Sequence, residues 1–138
     1  MISKKTKYGL KALSYLAKQE KNIPVLISDI STSENISKKF LESILLTLKK
    51  SGILSSKKGK GGGYYLLKKP KEIKISTIIR ILEGPIAMLP CVSLNYYERC
   101  DDCVDEKKCS LNRLMADVRD STLRILENKT LEDFHCGS

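Results

Sequence analysis

The sequence has few of the residues that enzymes use for catalysis. Its 138 residues include a single histidine, His135, close to the C-terminus. No nucleophile–base pair and no paired acidic site stands out from the pattern. We therefore expect a binding protein rather than an enzyme, with no small-molecule substrate.

Long apolar runs are also missing. None approaches the roughly 20 residues that a helix needs to span a bilayer. The charged start, with Lys4 and Lys5, lacks the apolar core of a signal peptide. We therefore expect a cytoplasmic protein that does not bind membranes.

Acidic residues are scarce in the first part of the chain. Residues 1–80 contain five Asp/Glu against 18 Lys/Arg, a balance of +13, whereas residues 81–138 contain 11 against seven, a balance of −4. The net charge of +9 therefore comes from one half of the chain. Because concentrated positive charge attracts polyanions, nucleic acid is the expected partner.

Cysteines, by contrast, are clustered. Four of the five fall within the 19 residues from Cys91 to Cys109, and Cys136 lies in the tail beside His135. In a reducing cytosol, clustered cysteines more often bind metal or sense redox state than form structural disulfides. The cluster is therefore a candidate cofactor site, and the two tail residues are weaker candidates as ligands.

The spacing of apolar residues predicts a mainly α chain with a small β-hairpin, an α+β fold. Helices are expected at about 4–18 and 26–33, and a third begins at the N-cap Ser37 and ends before Gly52. Strands are expected at 53–56 and 63–67, joined by a Lys/Gly turn. A short helix capped by Ser76 follows and stops at Gly84-Pro85.

A long helix is predicted from residue 111, and a last turn from Thr130 with Asp133. The long helix has a heptad-like apolar seam, which favours a partner helix. Its members are Leu111, Leu114, Met115, Val118, Thr122, Ile125 and Leu126.

Three helices followed by a basic hairpin are typical of a winged helix-turn-helix, in which one helix enters the major groove. The third helix buries its apolar side and leaves a polar side for DNA. Glu42 on that side suits the N4 amino group of cytosine. The candidate DNA-binding residues are Ser37, Lys38, Lys39, Glu42 and Ser43 on the helix, and Lys57, Lys58, Lys60 and Gly61 in the turn.

Two other interpretations of these segments are less favoured. A charged helix face can simply be solvated, but here it coincides with the hairpin and with the basic half of the chain. The glycine run 61–63 does not form a P-loop, because that motif leads into a helix whereas this run leads into a strand.

Three segments resemble the bacterial regulator family that includes IscR, NsrR and CymR. They are Lys7–Leu13, Ile36–Glu42 and Leu54–Tyr64, the last with the specific pattern Ser-Ser-x-x-Gly-x-Gly-Gly-Gly-Tyr. The resemblance implies homodimers on palindromic double-stranded promoter DNA, with the long helix as dimer interface. It also implies, in many members, an iron–sulfur cluster that alters DNA binding. The expected division is a DNA-binding domain at 1–84, a sensor loop at 85–109 and a dimerisation segment at 110–138.

The same resemblance suggests cluster ligands. Cys91 resembles the first ligand, and Cys103 and Cys109 resemble the last two. The family's assembly regulator has a histidine where this chain has Asn112, so Cys100 is the expected fourth ligand, with an N-terminal residue of a partner subunit as an alternative. Whether the cluster has two or four irons is left open.

The spacing Cys100-x2-Cys103 equally suits zinc, and unliganded thiols are a further alternative. The sequence therefore predicts a homodimeric, cluster-modulated DNA-binding regulator. The second hypothesis is a cofactor-free or zinc-bound winged-helix repressor controlled by a partner protein or by thiol redox state.

Overall fold

The computed structural model describes residues 2–134, so His135 and Cys136 lie outside the described part. Five α-helices and one two-stranded antiparallel sheet form its regular structure. In chain order they are α1 (Lys4–Ala17), α2 (Ile27–Glu34), α3 (Lys38–Lys50), β1 (Leu54–Lys57), β2 (Gly63–Leu66), α4 (Ile75–Leu82) and α5 (Ser110–Glu127). Short 3₁₀ turns occur at Pro70–Glu72, Pro90–Val92, Glu106–Lys108 and Leu131–Asp133. The mainly α fold with a small β-hairpin is confirmed.

Helix α3 forms as its sequence predicts. The Ser37 side chain accepts a hydrogen bond from the Phe40 N–H at 3.3 Å, which satisfies one of the unpaired donors of the first turn. Gly52 follows the end of the helix at φ 81°, a conformation that favours glycine. The apolar side of α3 is buried against α1, α2 and α4 through Leu41, Ile44, Leu45 and Leu48.

The turn between α2 and α3 fixes the helix pair. Asn35 adopts the left-handed conformation, φ 53°, and its N–H bonds to the Ser31 carbonyl. The Ser31 hydroxyl in turn donates to the Ile36 carbonyl at 2.6 Å. These local bonds hold α3 at a defined angle to α2, as a helix-turn-helix requires.

Strands β1 and β2 form the wing, paired from Leu54↔Leu66 to Lys57↔Gly63. The wing is tied to the segment before α2, because Val25 and Tyr64 exchange two backbone hydrogen bonds of 2.8 Å. At Gly63, φ is 147° and a Cβ would overlap the Val25 backbone. Only glycine fits there, so the glycine run serves wing attachment as well as the turn.

The predicted cap of α4 is wrong. The helix begins at Ile75 after Lys74, and Ser76 lies inside it with 1% of its surface exposed. The reason is tertiary: the Ile75 N–H bonds to the Lys129 carbonyl at 3.0 Å, so the start of α4 is set by the chain that follows α5.

Helix α5 is attached to the body at its C-terminal end. Leu123, which the predicted seam omits, is 7% exposed, and Arg80 pairs with Glu127 at 3.6 Å. The predicted last turn follows; it begins with a Thr130–Asp133 capping box, and Leu131 is in the main core. In the described chain no helix combines the length and the apolar character that crossing a bilayer requires.

Part of the predicted seam of α5 faces outward. Leu111, Leu114 and Ile125 are 53%, 55% and 60% exposed. Met115, Val118, Thr122 and Leu126 are half-buried. These three side chains form an exposed apolar stripe, and exposed apolar stripes of this kind mark surfaces that a partner covers.

Candidate DNA interface and cysteine site

The outer face of α3 presents the predicted contact residues to solvent. Ser37, Lys38, Lys39, Glu42 and Ser43 are all exposed. They occupy the cap and the first two turns, the part of a recognition helix that reaches base edges. The buried apolar residues on the opposite face prevent the helix from turning these side chains inward.

The wing places a second group of cations beside α3. Lys57 at the end of β1 and Lys58, Lys60 and Gly61 in the turn are exposed, and the turn is closed by a 2.9 Å bond from the Gly62 N–H to the Gly59 carbonyl. The three lysine side chains are therefore accessible to a partner that approaches the face of α3 and the wing.

A further cation joins the helix to the wing. The Lys49 ammonium group donates to the Ser56 hydroxyl at 2.7 Å. A backbone bond from Ile53 to Leu48, 3.1 Å, reinforces the connection. Lys49 was absent from the candidate residues, because no sequence signal pairs the end of a helix with a residue inside the following strand. Helix and wing are therefore linked in one unit.

The four cysteines of the loop line one cavity of about 450 Å³. Cys91 lies in the Pro90–Val92 turn, and Cys109 is the N-cap residue of α5. Cys91, Cys103 and Cys109 are half-buried and Cys100 is exposed. The loop thus brings all four predicted ligands to the lining of one cavity.

The donor set of this cavity fits a thiophilic group. Four thiols are the ligand type that iron–sulfur clusters and zinc prefer. The four thiols line one cavity, but they do not yet form a metal site: within residues 2–134 no three His, Cys, Asp or Glu side chains are placed to hold a metal ion together. Binding would therefore require the loop to close around the group.

Local interactions raise the pKa of two of the thiols. A hydrogen bond of 2.7 Å from Cys100 to the Asp102 carboxylate raises the pKa of Cys100. Burial, followed by the nearby Glu106 charge, raises the pKa of Cys103. Both groups must lose a proton to bind a metal, so binding would release protons.

The loop is organised by its own polar contacts. Arg99 donates to the Cys103 carbonyl at 3.1 Å and to the Val104 carbonyl at 3.4 Å. The Tyr97 hydroxyl donates to Glu106 at 2.5 Å, and this bond raises the pKa of Tyr97. The two Arg99 bonds connect the backbone of Cys103 and Val104 to the segment before Cys100.

Two residues of α5 connect the helix to the segment around Cys91. Arg119 donates to the Val92 carbonyl at 2.8 Å and also pairs with Asp120 at 2.8 Å. Asn112 donates from its side chain to the Cys91 sulfur at 3.3 Å. Neither residue was predicted as part of the site. For Asn112 the available signal was its position, which matches the histidine of the family's assembly regulator, whereas for Arg119 there was none.

Comparison with known proteins finds similarity to transcriptional regulators. A family model described as "Rrf2: Iron-dependent Transcriptional regulator" matches residues 2–136. An rrf2-like HTH-type transcriptional regulator of Rhodobacter capsulatus is 44% identical over 136 residues, covering 96% of this chain and 91% of the relative.

Solved structures of two transcriptional regulators have a similar fold. CymR of B. subtilis, described as a global cysteine regulator, aligns with TM-score 0.77 and 33% identity, covering 96% of this chain and 94% of that one. IscR of T. potens aligns with TM-score 0.73 and 30% identity, covering 96% and 84%. Together with the winged-helix geometry and the family match, these similarities show that the chain belongs to the Rrf2 family of DNA-binding transcriptional regulators, which are not enzymes.

Proposed function

We propose that the protein is a homodimer that binds specific promoter sequences in the bacterial cytoplasm, where an iron–sulfur cluster in the Cys91–Cys109 loop alters its DNA binding. The observation that carries this proposal is the single cavity lined by all four cysteines at the start of α5. The match to a family of iron-dependent transcriptional regulators supports it. In this proposal residues 1–84 bind DNA, 85–109 sense and 110–138 dimerise.

DNA recognition would divide between the two exposed surfaces. Helix α3 would enter the major groove, with Lys38 and Lys39 near phosphates and Glu42 accepting from a cytosine amino group. The lysines of the wing would contact the backbone and contribute salt-dependent affinity. Glu42→Ala should relax the choice of base at one position, whereas Lys39→Ala should weaken binding to all sequences.

Dimerisation would bring two such units onto one operator. Because Leu111, Leu114 and Ile125 leave an apolar stripe on α5, a twofold mate is the partner that the stripe fits. Two recognition helices reading one face of B-DNA must stand about 34–36 Å apart. A small movement of α5 would therefore change which operators can be read.

The cysteine loop is connected to α5 in a way that could produce this movement. Cys109 caps the helix directly, and Cys91 lies beside Val92, whose carbonyl binds Arg119. Cys91, Cys103, Cys109 and Cys100 would hold the cluster, which when bound supplies a redox-active centre. Closing the loop around it would pull on both contacts at once.

Anaerobic purification followed by iron and sulfide analysis tests the proposal. We expect visible absorption from the wild type, its loss in Cys91→Ala, Cys103→Ala and Cys109→Ala, and its weakening or loss in Cys100→Ala. The matched control is Cys136→Ala, a cysteine outside the loop, which should keep its colour. DNA binding should differ between loaded wild type and the colourless variants.

Two results would contradict the proposal. A fully loaded wild type that binds every promoter as Cys103→Ala does would remove the cluster as the switch. A colourless wild type would instead favour zinc or free thiols, the second candidate. That candidate rests on the Cys100-x2-Cys103 spacing and on the exposure of Cys100.

A further inference from the structure

Asn112 contacts the sulfurs of two cysteines. Its backbone N–H points to Cys109 Sγ at 3.4 Å, within the first turn of α5. Its side-chain Nδ2 donates to Cys91 Sγ at 3.3 Å, although the two residues are 21 positions apart. Cys91 belongs to the Pro90–Val92 turn and Cys109 to the start of α5, so one residue connects the two ends of the cysteine loop.

The Asn112 side-chain amide can donate a hydrogen bond, and the Cys91 sulfur can accept it as a thiolate. A cysteine that binds metal is deprotonated, so its sulfur accepts hydrogen bonds and donates none. The backbone N–H of Asn112 belongs to the first turn of α5 and has no partner within the helix, so it is available to Cys109. The side-chain amide adds a second neutral donor without adding charge to the cavity.

We propose that Asn112 is a positioning residue of the iron–sulfur site, which donates through Nδ2 to the Cys91 thiolate and thereby raises the reduction potential of the cluster. This inference rests on the proposed function. Asn112 is not itself a ligand here, because an amide is a poor competitor against four soft thiolates. It holds Cys91 towards Cys109 and stabilises the negative charge on the sulfur.

The direction of the effect follows from electrostatics. Reduction adds an electron whose charge is shared with the ligand sulfurs, so an N–H donor stabilises the reduced form more than the oxidised form. Hydrogen bonds to the sulfurs are among the factors that set cluster potentials. Removing the donor should make the potential more negative and the site more easily emptied.

The test uses two substitutions in the 138-residue protein. Asn112→Leu has similar bulk and no donor, and Asn112→Asp keeps the shape but replaces the donor with a carboxylate. The matched control is Asn128→Leu at the other end of α5, where the amide donates to the Arg124 carbonyl at 2.6 Å. If the leucine variant fails to fold, the isosteric variant N112D still answers the question.

Three quantities are measured on reconstituted protein: the midpoint potential by redox titration, the rate of iron loss to a chelator, and the Fe–S(Cys) stretching frequencies by resonance Raman spectroscopy. We expect N112L to have a more negative potential than wild type and N112D a still more negative one. Loss of an outer contact typically weakens metal binding by about 10–100-fold, so iron loss should accelerate on that scale. N128L should match wild type in all three.

Several outcomes would overturn the inference. Equal potentials and equal Fe–S frequencies in wild type and N112L would remove the donor role while leaving the cluster in place. A cluster retained in N112D but lost in N112L would mean that an oxygen of residue 112 binds iron, which also contradicts the donor role. A colourless wild type would overturn the proposed function, and this inference with it.

Discussion

The exposed stripe on α5 leads to a quantitative prediction for Ile125. We expect Ile125→Glu to convert the protein from a dimer to a monomer and to weaken operator binding. Ile125 is 60% exposed in the single chain and lies on the same stripe as Leu111 and Leu114. A twofold interface uses each residue twice, so a single substitution removes two apolar contacts.

The magnitude follows from the area left to cover. Full burial of an isoleucine side chain contributes about 1.5–3 kcal/mol, so burying the remaining 60% contributes roughly 1–2 kcal/mol per protomer and roughly 2–4 kcal/mol per dimer. Since about 1.4 kcal/mol corresponds to a tenfold change, dimerisation should weaken by about 30- to 700-fold. Two buried glutamates would add to this loss, because unpaired carboxylates are costly to desolvate.

Sedimentation equilibrium over a concentration series measures the dimer dissociation constant directly. The matched control is Leu67→Glu, which places the same charge at an apolar residue 52% exposed and outside α5. Circular dichroism checks that both variants remain helical. If Ile125→Glu dimerises as tightly as the control, or if the wild type is itself a monomer, the assignment of the stripe to a twofold mate is refuted.

Three further predictions concern the wing and the acid stability of the fold. Gly63→Ala should lower the free energy of unfolding by about 1–3 kcal/mol, because alanine is strained at this φ and its Cβ meets the backbone; a loss under about 0.5 kcal/mol in denaturant unfolding would contradict this. Lys58→Ala should reduce the slope of log affinity against log salt by about 1 on every sequence, and an unchanged slope would exclude a phosphate contact. The hydrogen bond from the Ser3 backbone holds the pKa of Glu83 below its usual 4.5. Its contribution is therefore present above pH 4.5 and is lost as pH falls through the lower folded-state pKa. Glu83→Gln should accordingly be less stable at neutral pH and lose less stability on acidification, and parallel stability curves across the acidic range would refute that.

Local sequence patterns predicted much of the fold. The apolar spacing and Ser37 cap predicted α3, Asn35 predicted the turn before it, and the glycine run predicted the wing. Each depends on residues close in sequence, because helix periods, caps and tight turns are satisfied within a few positions. The cysteine spacing likewise identified the four residues that line one cavity.

The sequence predicted less well those features that depend on contacts between different elements. Ser76 was expected to cap α4, but the bond between Ile75 and Lys129 determines where that helix begins. Leu123 is buried although it lies off the predicted seam, because the chain after α5 binds back to the body and turns that side of the helix inward.

The amino-acid sequence by itself determined most of the elements of this protein, its charged surfaces and the identity of the clustered thiols. Only the tertiary structure decided that Asn112 and Arg119 connect α5 to the segment around Cys91. The physical reason is that a hydrogen bond between residues far apart in sequence exists only after two elements have docked, and no local period or cap encodes that docking.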